Sequence, residues 1–153
     1  LNVPAYKQEK SYGCGYASVK EVLQNINGTS KSQSQYESEM GNAGSSAIVY
    51  KIRNILNKYI SGAKYTYNTG NSYSLDSFKS LVVNSITNKR PVIYHYYVID
   101  GYSYNASGAG DYMFYVDSFS GNFGDGNTFG KHRATGEEAF ASVNIGGRYI
   151  IHA

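Results

Sequence analysis

The apolar side chains Val19, Val22, Leu23 and Ile26 recur at i, i+3, i+4 and i+7, the spacing of one buried stripe on an amphipathic helix. That stripe predicts a helix from about Gly15 to Asn27, stopped by Gly28. A second stripe, Ile48, Ile52, Ile55, Leu56 and Tyr59, predicts a helix over about Ser45 to Tyr59. A third, Phe78, Leu81, Val82 and Ile86, predicts one over about Leu75 to Asn88 with Ser74 as its cap. Between the first two, Gly28 to Gln35 reads as a polar linker and Tyr36 with Met40 as a short amphipathic turn. Upstream, Pro4 excludes a helix and biases Val3 toward extended geometry, so residues 2–8 form an extended lead-in that ends at Gln8.

Pro91 closes the helical part of the chain, and the period then changes. Val92 to Tyr102, Tyr112 to Asp117 and Gly147 to His152 read as strands rich in β-branched and aromatic residues. Lys64 to Tyr67 is a candidate short strand before the turn-like Asn68-Thr69-Gly70-Asn71. Helices followed by an antiparallel sheet make the α+β class. With 153 residues and no internal repeat, one domain spanning 1–153 is the expectation.

Composition removes several function classes. The net charge is +3 and the 14 Lys and Arg are scattered, so no nucleic-acid surface is expected. Seventeen Tyr and 17 Gly with no Trp suit a strand- and loop-rich protein with a hydroxyl-rich surface. No apolar run approaches the length of a membrane span. The first residue is Leu1 rather than Met, so a signal peptide or upstream domain is expected to have been removed, and with it a secreted or cell-surface location. Asn27-Gly28-Thr29 and Asn105-Ala106-Ser107 match the glycosylation acceptor pattern, a triplet frequent by chance.

Cys14 is the single cysteine, so it has neither a disulfide partner in the chain nor fellow thiolates for a metal site. It falls at the start of the first helix, where unpaired N–H groups and the helix dipole favour a thiolate. Gly13 and Gly15 flank it, which reads as room for a substrate backbone, and Gln8 lies six residues upstream. The plain alternative is a small buried hydrophobe.

His95 is embedded in the strand Val92 to Tyr102, where packing would hold a base rigid, or would simply bury a satisfied ring. Asp117 ends the following strand, a position from which a carboxylate can orient an imidazole. His132 sits between basic neighbours in what reads as a polar loop, and His152 lies one residue from the C-terminus on a packed strand. The Gly-rich stretch 121–127 lacks the later Glu of an EF-hand loop and reads as a turn-rich loop near the cleft.

Gln8 with Cys14-Gly15-Tyr16-Ala17-Ser18, then Lys89-Arg90-Pro91-Val92-Ile93, then His95 through Tyr102 and Tyr115-Val116-Asp117, resembles the bacterial C39-like branch of the papain-like cysteine peptidases. The similarity runs over almost the whole chain and implies a papain-like fold with N-terminal helices packed on an antiparallel sheet. It implies Cys14 as nucleophile, His95 as base and then acid, Asp117 as the group orienting His95, and Gln8 as oxyanion donor beside the Cys14 N–H. Three departures stand out: Tyr16 where the family usually has Pro, Ser118 where it often has Pro, and only Val92, Ile93 and Tyr94 between Pro91 and His95. At that last place the family keeps two strands and a loop, so either the strands have merged or a loop is missing.

The resemblance implies a monomeric thiol hydrolase, exported by a Gram-positive bacterium, that cleaves peptide or isopeptide bonds without metal or other cofactor. The substrates implied are peptides or proteins, such as leader peptides ending in small residues, or cell-wall peptides. Two other readings stay open: an acyl transferase using the same thiol, and a non-catalytic binding or adhesion module on a decayed peptidase fold.

Overall fold

The computed structural model describes residues 1–103, 111–118, 129–144 and 148–153. The first apolar stripe becomes α1, Cys14–Asn27, which starts after Gly13 and stops at Gly28. Gly28 adopts φ +72, a left-handed value open to glycine, and its N–H returns to the Gln24 carbonyl at 3.2 Å. α3 spans Val49–Tyr59 and α4 spans Leu75–Thr87. Ser74 caps α4 through a reciprocal pair with Ser77.

Two helices depart from the sequence expectation. α2, Gln33–Glu39, begins inside the expected polar linker and runs through the expected amphipathic turn at Tyr36, set by a Ser32–Gln35 capping box. α5, Gly136–Val143, is set by a Thr135–Glu138 box. Both are short, so their apolar periodicity is faint and the polar cap is the stronger signal.

Among the described residues six strands form one sheet: β1 Thr66–Thr69, β2 Val92–Tyr94, β3 Tyr97–Ser103, β4 Tyr112–Asp117, β5 Gly130–Thr135 and β6 Tyr149–His152. Their spatial order is β1-β6-β2-β3-β4-β5, antiparallel throughout. The stretch expected as one strand, Val92 to Tyr102, is two, because Tyr94 pairs with Tyr97 across a two-residue turn. Its residues, His95 and Tyr96, take φ +43 and +67, the left-handed pair that a two-residue hairpin of type I′ demands. The strands have therefore not merged. Residues 130–133, expected as a loop, lie in β5 with His132 opposite Tyr115. The Asn105 triplet and the 121–127 stretch lie outside the described residues.

The sheet separates two cores. Val19, Leu23, Ile52 and Leu56 from the N-terminal helices pack on Ile93, Val98, Val116 and Ile151. Phe78 and Val82 of α4, with Ala139 and Val143 of α5, pack with Tyr94, Ile99, Met113 and Ile150. β2 shows the alternation within three residues, since Val92 and Tyr94 join one core and Ile93 the other. Burying each such large apolar side chain is worth about 1.5–3 kcal/mol, enough to fix which end of the sheet meets the start of α1.

Candidate active site

The mouth of α1 meets the sheet at the end where the β2–β3 turn and the last residues of β4 lie. Ser18 Oγ is 2.6 Å from the Tyr96 carbonyl and 2.9 Å from that of Cys14. The Tyr96 hydroxyl donates to the Ala47 carbonyl at 3.3 Å, so the Tyr96 ring spans from the turn to the segment before α3. A Cβ built on Gly15 would lie 2.7 Å from Ala47 Cβ and 3.3 Å from the Tyr96 ring. One on Gly13 would lie 3.0 Å from the Lys10 carbonyl. The protein's own packing takes up the space at Gly15 and leaves little at Gly13, which corrects the expectation that the two glycines leave room for a substrate.

The N-terminal arm enters the same corner. Val3 is fully buried in the α1 core, the Tyr6 N–H donates to Glu21 Oε1 at 2.9 Å, and the Gln8 N–H donates to the Ser118 carbonyl at 2.8 Å. Gln8 is thereby fastened beside the end of β4. Its side-chain amide donates to the Lys10 and Ser11 carbonyls at 2.8 and 3.1 Å, and Oε1 is buried without a hydrogen bond among the described residues.

Cys14 is partly exposed. Burial pushes its thiol pKa up and the Asp117 charge adds to that, while the N–H groups of Gly15 and of Cys14 itself pull it down. Burial prevails, so the Cys14 thiol lies above its ordinary value in this arrangement. The structure thus gathers Gln8, Cys14 and Asp117 into one corner.

His95 stands in the adjoining turn. Its ring packs edge-on to Tyr97 at 6.0 Å between centroids, and the charge that acts on it is that of Arg148. Burial first and Arg148 second hold its pKa below the ordinary histidine value, so the ring is neutral near pH 7. The turn residue whose electrostatics couple to Cys14 is Tyr96, its phenol pushed up by burial and then by the thiolate. His132 stacks on Tyr115 at 5.5 Å, and His152 lies 3.1 Å from the Tyr73 hydroxyl.

Three residues of this corner escaped sequence reasoning. Ser18 and Glu21 follow Cys14 at i+4 and i+7, one stripe that could have placed both under the thiol. Glu21 is fully buried, and burial raises its carboxyl to about 9. Tyr96 carried no signal, because its role depends on the turn. Among the described residues no group of three His, Cys, Asp or Glu is placed to hold a metal ion, and no helix is long and apolar enough to cross a membrane.

A model of the Peptidase C39-like family matches residues 1–143. The chain belongs to the Peptidase C39-like family. Among solved structures, the peptidase domain of Streptococcus ComA, a bi-functional ABC transporter involved in a quorum-sensing pathway, superposes with a TM-score of 0.63 at 16% identity. That match covers 99% of this chain and 98% of that domain. UfSP from C. elegans superposes with a TM-score of 0.65 at 13% identity, over 99% of this chain and 32% of that one. No curated protein sequence matches. At these identities the neighbours establish the fold of this C39-like chain, which is papain-like: N-terminal helices on an antiparallel sheet, with Cys14 at the head of the first helix.

Proposed function

We propose that this C39-like protein is a cysteine peptidase acting outside the cell, in which Cys14 attacks the carbonyl of a peptide or isopeptide bond. The observation that carries this reading is the seat of Cys14 at the mouth of α1, with backbone N–H groups directed at its sulfur and Gln8 and Asp117 in the same corner. In the reaction His95 takes the thiol proton and later gives it to the leaving amine. Asp117 holds the imidazolium, and the Cys14 N–H and Gln8 amide receive the oxyanion. Water then resolves the thioester.

Two groups have to move for this. The His95–Tyr96 turn must relax so that the ring passes to the thiol, and the Gln8 amide must exchange a backbone carbonyl for the oxyanion. Left-handed conformations at two non-glycine residues cost about 1–3 kcal/mol each, so the turn is the part of the hairpin least costly to remake when substrate binds.

The test is a peptidyl aldehyde ending in small residues, which forms a hemithioacetal only with a competent thiol. Protection of Cys14 from iodoacetamide, lost in His95→Ala, supports the reading. A second reading, a non-catalytic module, draws on the raised thiol pKa and the occupied Gln8 amide. It requires that the aldehyde give no protection and that Cys14 label no faster than a free thiol. If the aldehyde protects, product analysis with and without an added amine separates hydrolysis from acyl transfer.

A further inference from the structure

On the face of the sheet away from α1, a cavity of about 390 Å³ opens between the β2–β3 turn and α5. Its size lies within the usual span of small-ligand sites, about 300–1,000 Å³. Tyr97 and Tyr115 supply flat walls with ring centroids 5.3 Å apart; His95, Glu138, Ser142, Arg148 and Arg133 supply the polar groups, the last with its guanidinium over the Tyr112 ring. Of the lining residues only His95 also takes part in the proposed chemistry at Cys14, so the inference touches that reading through this one ring, and binding here is read separately from aldehyde protection of the thiol.

The charge of the cavity is unbalanced at one end. Arg148 donates through Nη1 to the Ser142 carbonyl near the C-terminal end of α5, which fixes the guanidinium where a helix dipole welcomes a cation. Among the described residues no carboxylate forms an ion pair with it. Glu138 also borders the cavity, but its Oε2 receives the Thr135 N–H as part of the helix cap. The imidazole that shares the cavity with Arg148 is His95, a group that can donate to an anion or become a cation beside one. A fixed guanidinium forks onto a carboxylate with two parallel hydrogen bonds, and the tyrosine walls suit a flat apolar group beside it.

We infer that this cavity is a binding site for a carboxylate carried next to a flat apolar group, with Arg148 and His95 as its anion contacts and Tyr97 and Tyr115 as its walls. The C-terminus of a peptide ending in an aromatic residue has this chemistry. Because His95 also stands in the turn that Ser18 fastens to α1, an occupant would be felt on the Cys14 side of the sheet.

The experiment follows the His95 ring Cε1–H resonance by NMR in the full chain, with His152 as internal control. N-acetylphenylalanine is compared with its amide and with acetate. The acid is expected to move the His95 signal saturably and to raise its apparent pKa by about 0.5–1 unit, as a new anionic neighbour does. The amide and acetate are expected to act at least tenfold more weakly, and the response is expected to be lost in Arg148→Gln and only weakened in Arg148→Lys, which keeps the charge but loses the fork. Equal binding of acid and amide, an unaltered response in Arg148→Gln, equal potency of acetate, or no saturable shift with the acid each overturns the assignment. Thermal melting of both variants, compared with wild type, separates loss of the site from loss of the fold.

Discussion

Ser18 Oγ stands 2.6 Å from the carbonyl oxygen of Tyr96, so one hydrogen bond ties the second turn of α1 to the β2–β3 hairpin. The same hydroxyl is 2.9 Å from the Cys14 carbonyl. One side chain therefore touches both the residue that carries the thiol and the turn that carries His95. Ser18→Ala leaves the Tyr96 carbonyl without this donor in a fully buried position. The expected loss is about 1–2 kcal/mol, read as a lower urea midpoint at unchanged slope. An unchanged midpoint would show that the two pieces are held together by apolar packing alone.

His95 occupies a left-handed backbone conformation that asparagine adopts more readily still. Asparagine tolerates φ +43 far better, so His95→Asn is expected to raise stability by about 0.5–1 kcal/mol while abolishing protection by a peptidyl aldehyde. Calorimetry and the protection assay read the two effects on one sample. A lower melting temperature would mean that the ring's contacts with Tyr96 and Tyr97 outweigh the backbone term.

Asp117 is expected to act in opposite senses on two reactions of the same thiol. Its charge is one of the causes that raise the Cys14 pKa, after burial. Asp117→Asn should then lower that pKa and speed simple alkylation by iodoacetamide at pH 7–8. Reaction with the peptidyl aldehyde depends on an oriented His95 in the proposed mechanism and should slow about tenfold or more. Both rates moving in the same direction would remove Asp117 from the proposed mechanism.

What the sequence made legible was whatever has a period or a cap. The α1 and α4 stripes, the β4 strand with its terminal Asp117, and Cys14 at a helix start could all be read from spacing. α2 was missed because its one apolar residue, Tyr36, cannot outvote a polar run, and α5 because Ala139, Phe140 and Val143 span barely one turn, although their Ser32–Gln35 and Thr135–Glu138 boxes were there to find. The His95–Tyr96 turn was unreadable because its sequence argues against it. Tyr96 favours a strand, neither residue is the Asn or Gly that marks such a turn, and the pairing of Val92 with Ile99 and of Ile93 with Val98 places the reversal there. Tertiary pairing overrode local preference, and with it went the sequence basis for placing the His95 ring. The glycines beside Cys14 illustrate the converse: their pattern is plain in the sequence, but the space beside them is taken by Ala47 and Lys10, residues distant in the chain or folded back on it.

Glu21 gives the most direct pH test of the corner beneath Cys14. It is fully buried, accepts from the Tyr6 N–H through Oε1, and has an Oε2 without a partner among the described residues. Burial first, then the charges of Asp117 and Asp100, lift its carboxyl from 4.5 to about 9. Between those two values the folded chain holds a proton that the unfolded chain has released, so stability falls as pH rises across that window and is untouched below it. Glu21→Gln cannot ionise and keeps an oxygen for Tyr6, so its stability should lack this fall. Any cost of burying the extra amide is the same at every pH and cancels from the slope. Urea titrations of both proteins should show their stability difference drifting toward the variant by a few kcal/mol at most between pH 5 and pH 8.5, the other titrating groups being common to both. Parallel curves across that range would mean that Glu21 is charged in the folded protein, and that a cation or a rearranged N-terminal arm reaches it.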